Sequence, residues 1–140
     1  MILLDTDHLS VVTDRRDKGH AELLVRLSRD LDEPFLPVVA VEEQLQGWLS
    51  KIRRQRDVEQ QLDAYDRLVA LIEMLVDWPI VRWTKPAAEK FKELRRAGVR
   101  IGPNDLKIAS LAITNDALLL TRNARDFSRV PGLRFENWLE

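Results

Sequence analysis

Three apolar residues, Ile2-Leu3-Leu4, run straight into Asp5-Thr6-Asp7. A run this short and this apolar reads as a buried strand. One that ends in acids delivers polar side chains at its carboxyl end, before a cap and a helical turn from His8. The same alternation continues along the chain. Ala21 to Leu31 sets Leu23, Leu24, Leu27 and Leu31 at helical spacing, and Asp32-Glu33-Pro34 stops it ahead of a second short run, Phe35 to Val39. Pro37 in that run counts against an inner strand, because proline donates no ladder hydrogen bond. Val41, Leu45, Trp48, Leu49 and Ile52 share one helical stripe, and Leu62, Tyr65, Leu68, Val69, Ile72 and Leu75 share another. A long helical pair, kinked near residues 50 to 58, is therefore expected in the middle of the chain. Trp78 to Trp83 predicts a third strand, Lys85-Pro86 opens a helix that Ala97-Gly98 ends, and Asn104-Asp105 opens another. Ala117 to Thr121 predicts a fourth strand and Leu133 to Phe135 a last short one. Strands alternating with helices in this way specify an α/β fold, with a mainly parallel sheet of about four or five strands covered by helices on both faces.

With 140 residues, no internal repeat and no Gly/Ser linker, residues 1–140 are expected to form a single domain. The net charge of -1 provides no uniform field for a polyanion or a membrane, so such a partner must be held by local patches. The charge is nevertheless uneven. Residues 1–50 carry five Lys/Arg and ten Asp/Glu, and residues 51–140 carry seventeen and thirteen. An acidic front and a basic remainder suit carboxylates gathered at a site with cations around it; solvated helix faces would give the same count. The absence of Cys excludes disulfides, thiolate nucleophiles and Cys-ligated zinc or iron–sulfur centres, and suits a reducing cytoplasm. No basic segment precedes the first apolar run, and no apolar run approaches the ~20 residues of a membrane span, so neither a signal peptide nor a membrane is expected. The two histidines, His8 and His20, are too few for a His-rich metal site and are expected in surface or capping roles. No Gly-rich phosphate loop is present.

The acids carry the chemistry. In an open parallel sheet, ligands gather beyond the carboxyl ends of the strands. Asp5 follows the first strand, Glu42 and Glu43 stand in the helix after the second, Asp105 lies in the first turn of a helix, and Asn123 and Asp126 follow the fourth strand. Each has a structural role open to it: a helix cap for Asp5 or Asp105, a first-turn charge for Glu42 or Glu43, a turn for Asp126. Their joint placement favours a site. Carboxylates gathered at one edge repel one another unless a cation sits among them, and all-oxygen ligation suits Mg²⁺ or Mn²⁺ better than Zn²⁺.

Four segments in order make the chain resemble the PIN-domain ribonucleases, and within them the VapC-type toxins of bacterial and archaeal toxin–antitoxin pairs. They are Ile2-Leu3-Leu4-Asp5-Thr6-Asp7, Val38-Val39-Ala40-Val41-Glu42-Glu43 with Gly47 four residues on, Gly102-Pro103-Asn104-Asp105, and Leu118-Leu119-Leu120-Thr121-Arg122-Asn123-Ala124-Arg125-Asp126 with its trailing Pro131-Gly132. The resemblance spans nearly the whole chain. It selects Glu43, whereas a helical wheel brings Glu42 nearer the apolar stripe. The chain departs from many members at Asn123, where they carry Asp, and Asp126 is the acid that remains.

The resemblance implies a PIN-like α/β domain and a metal-dependent endoribonuclease that hydrolyses phosphodiester bonds in tRNA, rRNA or mRNA through a water activated by Mg²⁺ or Mn²⁺. Asp5, Asp105 and Glu43 would hold the metal, directly or through water, with Asp126 or Asn123 completing the catalytic set and Thr6 and Thr121 orienting waters or phosphate. Lys51, Arg53, Arg54, Arg56, Arg95, Arg96, Arg100, Lys107 and Arg122 are the cations available for flanking phosphates. Trp48, Trp78, Trp83 and Trp138 could stack on unpaired bases, although Trp48 lies on the apolar stripe and is expected in the core or an interface. A homodimer, a cognate antitoxin and a cytoplasmic location follow from the same resemblance. Two other readings use the same residues. One is a non-catalytic PIN-like module that binds RNA or protein, with Asn123 marking a decayed site. The other is an aspartyl-phosphate phosphatase or phosphoacceptor with Asp5 as nucleophile.

Overall fold

Every residue of β1 (Ile2–Leu4) is at most 1% exposed in the computed structural model, which describes residues 1–140. Burial on both faces is what a central parallel strand requires, and it explains why the run is uniformly apolar rather than alternating. β1 is followed by α1 (Thr6–Thr13), α2 (His20–Arg29), β2 (Pro34–Pro37), α3 (Val38–Arg54), α4 (Leu62–Asp77) and β3 (Ile80–Val81). Then come α5 (Lys85–Arg96), α6 (Pro103–Thr114), β4 (Leu118–Leu120), α7 (Ala124–Phe127) and β5 (Arg134–Glu136).

The five strands form one sheet in the order β3-β2-β1-β4-β5, and every pairing is parallel. The chain builds outward from β1 to β2 and β3, then crosses back to lay β4 and β5 on the other side of β1. The direction of winding therefore reverses between β1 and β4, and the crevice beyond their carboxyl ends is the place where open α/β sheets bind ligands. The register puts Leu4 opposite Leu120, so Asp5 and Thr121 emerge side by side at that crevice, with the Asp5 N–H still bonded to the Leu120 carbonyl at 3.0 Å. A cluster of 28 buried apolar residues, among them Leu3, Leu9, Leu36, Ile108, Leu119 and Phe127, joins the sheet to its helices. Each fully buried side chain of this size contributes about 1.5–3 kcal/mol, and together they hold the strand ends in place.

Several boundaries differ from the sequence expectation. The second strand is Pro34–Pro37 rather than Phe35 to Val39, and α3 begins at Val38, three residues before the expected Val41. Pro37 is the residue before the first helical turn, with φ -61° and ψ 133°; it cannot donate to a ladder, and the helix takes over where the ladder must stop. β2 is nevertheless an inner strand, which its prolines permit because they sit at its two ends. The strand expected over Trp78 to Trp83 shrinks to Ile80–Val81 at the sheet edge, with Trp78 capping α4 and Trp83 outside. The central helical pair is not kinked but separated, with residues 55–61 between α3 and α4. Leu31 is fully exposed, because α2 stops at Arg29. Two helix ends use left-handed residues. After α5, Gly98 has φ 89° while the Val99 and Gly98 N–H groups bond to Leu94 and Arg95; after α6, Asp116 with φ 50° serves the same reversal.

Candidate active site

Asp5 leaves β1 in extended conformation and caps α1: its Oδ1 accepts the N–H of Asp7 at 3.2 Å and of His8 at 3.3 Å. The cap fixes the carboxylate, which is 5% exposed, and leaves Oδ2 without a hydrogen bond. The structural and functional readings of Asp5 therefore coexist, one on each oxygen. His8, one turn on, is completely buried, contrary to the expected surface or capping role. Its Nε2 lies 3.2 Å from the N–H of Trp138, which can only donate, so Nε2 accepts and the ring proton sits on Nδ1. Nδ1–H then points at Asp5 Oδ1, 3.4 Å away. The carboxyl end of the chain thus orients the first acid through an imidazole. The signal in the sequence was the three-residue spacing from the capping Asp5.

Glu43, in the second turn of α3, faces the same crevice, and its buried Oε1 has no hydrogen-bond partner. Asp105 lies in the first turn of α6, where the helix dipole favours a negative charge. Asn123 caps α7 by accepting the Asp126 N–H at 3.3 Å, while its amide donates to Asp126 Oδ2 at 3.0 Å and to Asp105 Oδ2 at 3.3 Å. The buried Thr121 Oγ1 accepts the Asn123 N–H at 3.0 Å and sets that cap. The five residues singled out from the sequence, Asp5, Glu43, Asp105, Asn123 and Asp126, converge from four separate segments. Glu42 turns outward and is exposed.

The electrostatics agree with the geometry. Burial pushes the Glu43 carboxyl above its usual range, and the nearby charges of Asp105, Asp5, Glu42 and Asp7 push it further. Burial also raises Asp105, as do Asp5 and Asp126, while the hydrogen bond from Asn123 opposes them. Asp7, whose place in the site the sequence pattern does not reveal, belongs to the same field: burial and Asp5 raise it, and Arg122 and His8 act the other way. The cluster is an excess of negative charge with unpartnered oxygens, the donor set of a hard cation. No three of its acids stand close enough to enclose an ion alone. Mg²⁺ does not need that, since it characteristically keeps several waters and takes one or two carboxylates plus substrate oxygens.

Around the crevice, Lys107, Arg122 and Arg125 form no ion pair. The tryptophans separate by environment. Trp138 is buried beneath Arg26, with its Nε1–H on Glu136, and Trp48 is half-buried under Arg67 and packs against the core. Trp78 is also half-buried, and Trp83 is 38% exposed. No helix is long and apolar enough to cross a membrane.

Comparison with known proteins gives a consistent answer. The chain is 29% identical over 136 residues to Ribonuclease VapC2 of Rickettsia felis, covering 97% of this chain and 96% of that one. It is 44% identical over 46 residues to the tRNA(fMet)-specific endonuclease VapC of Salmonella typhimurium, about a third of each chain. Its fold superposes with a TM-score of 0.74 on a chain of the Rickettsia felis VapBC2 structure bound to a DNA fragment from their promoter, at 26% identity over 99% of both chains. Residues 2–133 match the PIN domain, and the chain belongs to that family.

Proposed function

We propose that this chain is a metal-dependent endoribonuclease and the toxin of a toxin–antitoxin pair, acting on phosphodiester bonds in RNA. One observation carries the reading: Asp5, Glu43 and Asp105, from three separate segments, face one crevice where the sheet reverses its winding, and the buried Glu43 Oε1 there has no protein partner. The ribonuclease names of full-length relatives support the reaction. The VapBC complex similar in fold supports an antitoxin partner. The Salmonella relative's name makes a tRNA the first substrate to test, ahead of rRNA and mRNA. A homodimer in the cytoplasm is part of the same proposal, as is the assignment of residues 1–140 to one domain.

Asp5, Asp105 and Glu43 would hold Mg²⁺ or Mn²⁺, with Asp126 completing the carboxylate set. A divalent cation there supplies Lewis-acid stabilisation of the scissile phosphate and a lowered pKa for attacking water. The chain's own residues do the positioning. Asp5 presents Oδ2 because its cap and His8 occupy Oδ1. Asn123 bridges Asp105 and Asp126 by donating to both. Thr121 locks the Asn123 backbone, and Arg122, Arg125 and Lys107 offer cations for the flanking phosphates, without which an acidic crevice would repel a polyanion. Incubating the purified chain with total RNA, in Mg²⁺, Mn²⁺ or EDTA, tests the reading. Metal-dependent cuts that vanish in Asp5→Asn and Asp105→Asn are expected; cutting that persists in both variants would overturn it.

A further inference from the structure

Beside the acid cluster, a second opening of about 250 Å³ is lined by Val38, Val39, Glu42, Trp83 and Lys107. It lies at the same edge of the sheet. Val38, Val39 and Glu42 belong to the first turns of α3 that follow β2, Trp83 comes two residues after β3, and Lys107 is two residues beyond Asp105. Glu42 is the chain neighbour of Glu43, about 3.8 Å away between Cα atoms, so a group seated here adjoins whatever the acids bind. The volume lies just under the roughly 300 Å³ at which pockets for drug-sized ligands begin, which suits one planar ring system.

The lining is not a leftover of packing. Trp83 is exposed but steadied edge-on by Phe91, with ring centroids 6.4 Å apart at 82°. Glu42 and Lys107 form an ion pair neither with each other nor with any other residue. The first turn of α3 has no side-chain cap, and first-turn N–H groups lack intrahelical acceptors. The opening therefore offers an aromatic face, a carboxylate acceptor and cationic or N–H donors around one small space. Unpaired RNA bases are read in this way, by stacking on an aromatic side chain and hydrogen bonding along the Watson–Crick edge.

We propose that this pocket takes an unpaired guanine of the RNA, beside the scissile phosphate, stacked on Trp83 with its N1–H and N2 amino group donating to Glu42 and its O6 facing Lys107 and the α3 first turn. Guanine alone places two adjacent donors opposite the two oxygens of a carboxylate and an acceptor beside them. Cytosine presents a single amino group beside the acceptors N3 and O2, adenine a single amino group between N1 and N7, and uracil a single N–H between two carbonyls. The proposal rests on the endoribonuclease reading for its biological meaning, and its test does not require cleavage.

The experiment titrates the metal-free protein in EDTA with the 5′-monophosphates of guanosine, adenosine, cytidine and uridine, following the Trp83 indole N–H signal by NMR. That signal is assigned by its loss in Trp83→Phe. Repulsion of the phosphate by the acids is common to the four ligands, so the comparison isolates the base. Guanosine monophosphate is expected to shift the signal saturably and to bind on the order of tenfold more tightly than the others, the scale of one lost polar pairing. By calorimetry, which needs no Trp83 signal, Trp83→Ala should weaken it by a similar factor and Trp83→Phe should restore most of the loss, while Glu42→Gln should erase the preference for guanine. Equal binding of all four nucleotides, an unmoved Trp83 signal, or a guanine preference that survives Glu42→Gln would overturn the proposal. With total RNA, the mapped cut ends of the wild-type chain should show guanine at one fixed position, and the remaining cuts of Glu42→Gln should not. Absence of any cutting would sink the endoribonuclease reading while the titration still decides the pocket.

Discussion

His8 offers a test in which stability and activity separate along the two nitrogens of one ring. Its Nε2 serves the N–H of Trp138, a residue only 7% exposed, and its Nδ1 serves Asp5. An Asn side chain places its amide where Nδ1 stands but cannot reach Trp138; a Gln side chain places its carbonyl oxygen where Nε2 stands but offers Asp5 no donor in the same position. In His8→Asn the Trp138 N–H is left buried without an acceptor, at a cost of about 1–3 kcal/mol. For a chain of this size that lowers the melting temperature by roughly 3–12 °C. His8→Gln keeps that contact and loses the group orienting the first acid, and losses of such supporting hydrogen bonds typically cost about 10–100-fold in metal affinity or activity. Thermal unfolding in EDTA reads the first effect, and RNA cleavage against metal concentration reads the second. The expectation is a crossed pattern: Asn the less stable variant, Gln the less active one. Parallel losses in both variants would refute the argument, since they would mean that the ring acts by filling space and not through Asp5.

Three further outcomes are expected of the same fold. In EDTA, Asp105→Asn should unfold at a higher temperature than the wild-type chain, because it relieves repulsion among Asp105, Asp5 and Asp126, and Mg²⁺ should no longer raise its melting temperature. The raised Glu43 carboxyl binds its proton more tightly in the folded chain than in the unfolded one, whose value is near 4.5. Its contribution is therefore most favourable below that value and is lost as the pH rises through the folded-state value. The urea midpoint of Glu43→Gln minus that of the wild-type chain, measured in EDTA, should accordingly grow with pH across this window, a difference from which the opposite trend of the lowered Asp14 cancels. Asp116→Gly should gain about 1 kcal/mol by relieving a left-handed residue, and Gly98→Ala should lose about as much, both read by urea denaturation.

What the sequence disclosed, it disclosed through period and punctuation. Ile2-Leu3-Leu4 and Leu118-Leu119-Leu120 are apolar at every position because both strands are covered on both sides, and that pattern survives without any knowledge of neighbours. Gly98 marked its helix end because the left-handed conformation leaves few alternatives; Asp116 does the same job without an advertisement. Strand order is different in kind. Nothing local says that β4 lies against β1, since that pairing joins residues more than a hundred positions apart, and only the pairing turns four scattered acids into one crevice. The choice between Glu42 and Glu43 shows the limit at the scale of one residue. The wheel ranked Glu42 nearer the apolar stripe, yet the helix begins at Val38 and turns Glu43 inward toward Asp105. His8 was misjudged for a related reason, because its partner Trp138 lies at the far end of the chain.

Asn123 shows why an amide at an expected acid position does not by itself mark a failing site. A fifth carboxylate there would stand beside Asp105 and Asp126, both already drawn into a field that pushes Asp105 upward. The amide instead donates to one oxygen of each, and its hydrogen bond opposes the burial and the neighbouring charges that raise Asp105. The carboxylate missing from position 123 is present three residues on, where the cap of α7 delivers Asp126 to the same crevice. Negative charge and available oxygens are thus retained, while the repulsion that the metal-free fold must withstand is reduced. The decayed-site reading requires that metal-holding groups be missing. At this crevice an acid stands three residues on, and position 123 holds an amide that donates to both Asp105 and Asp126.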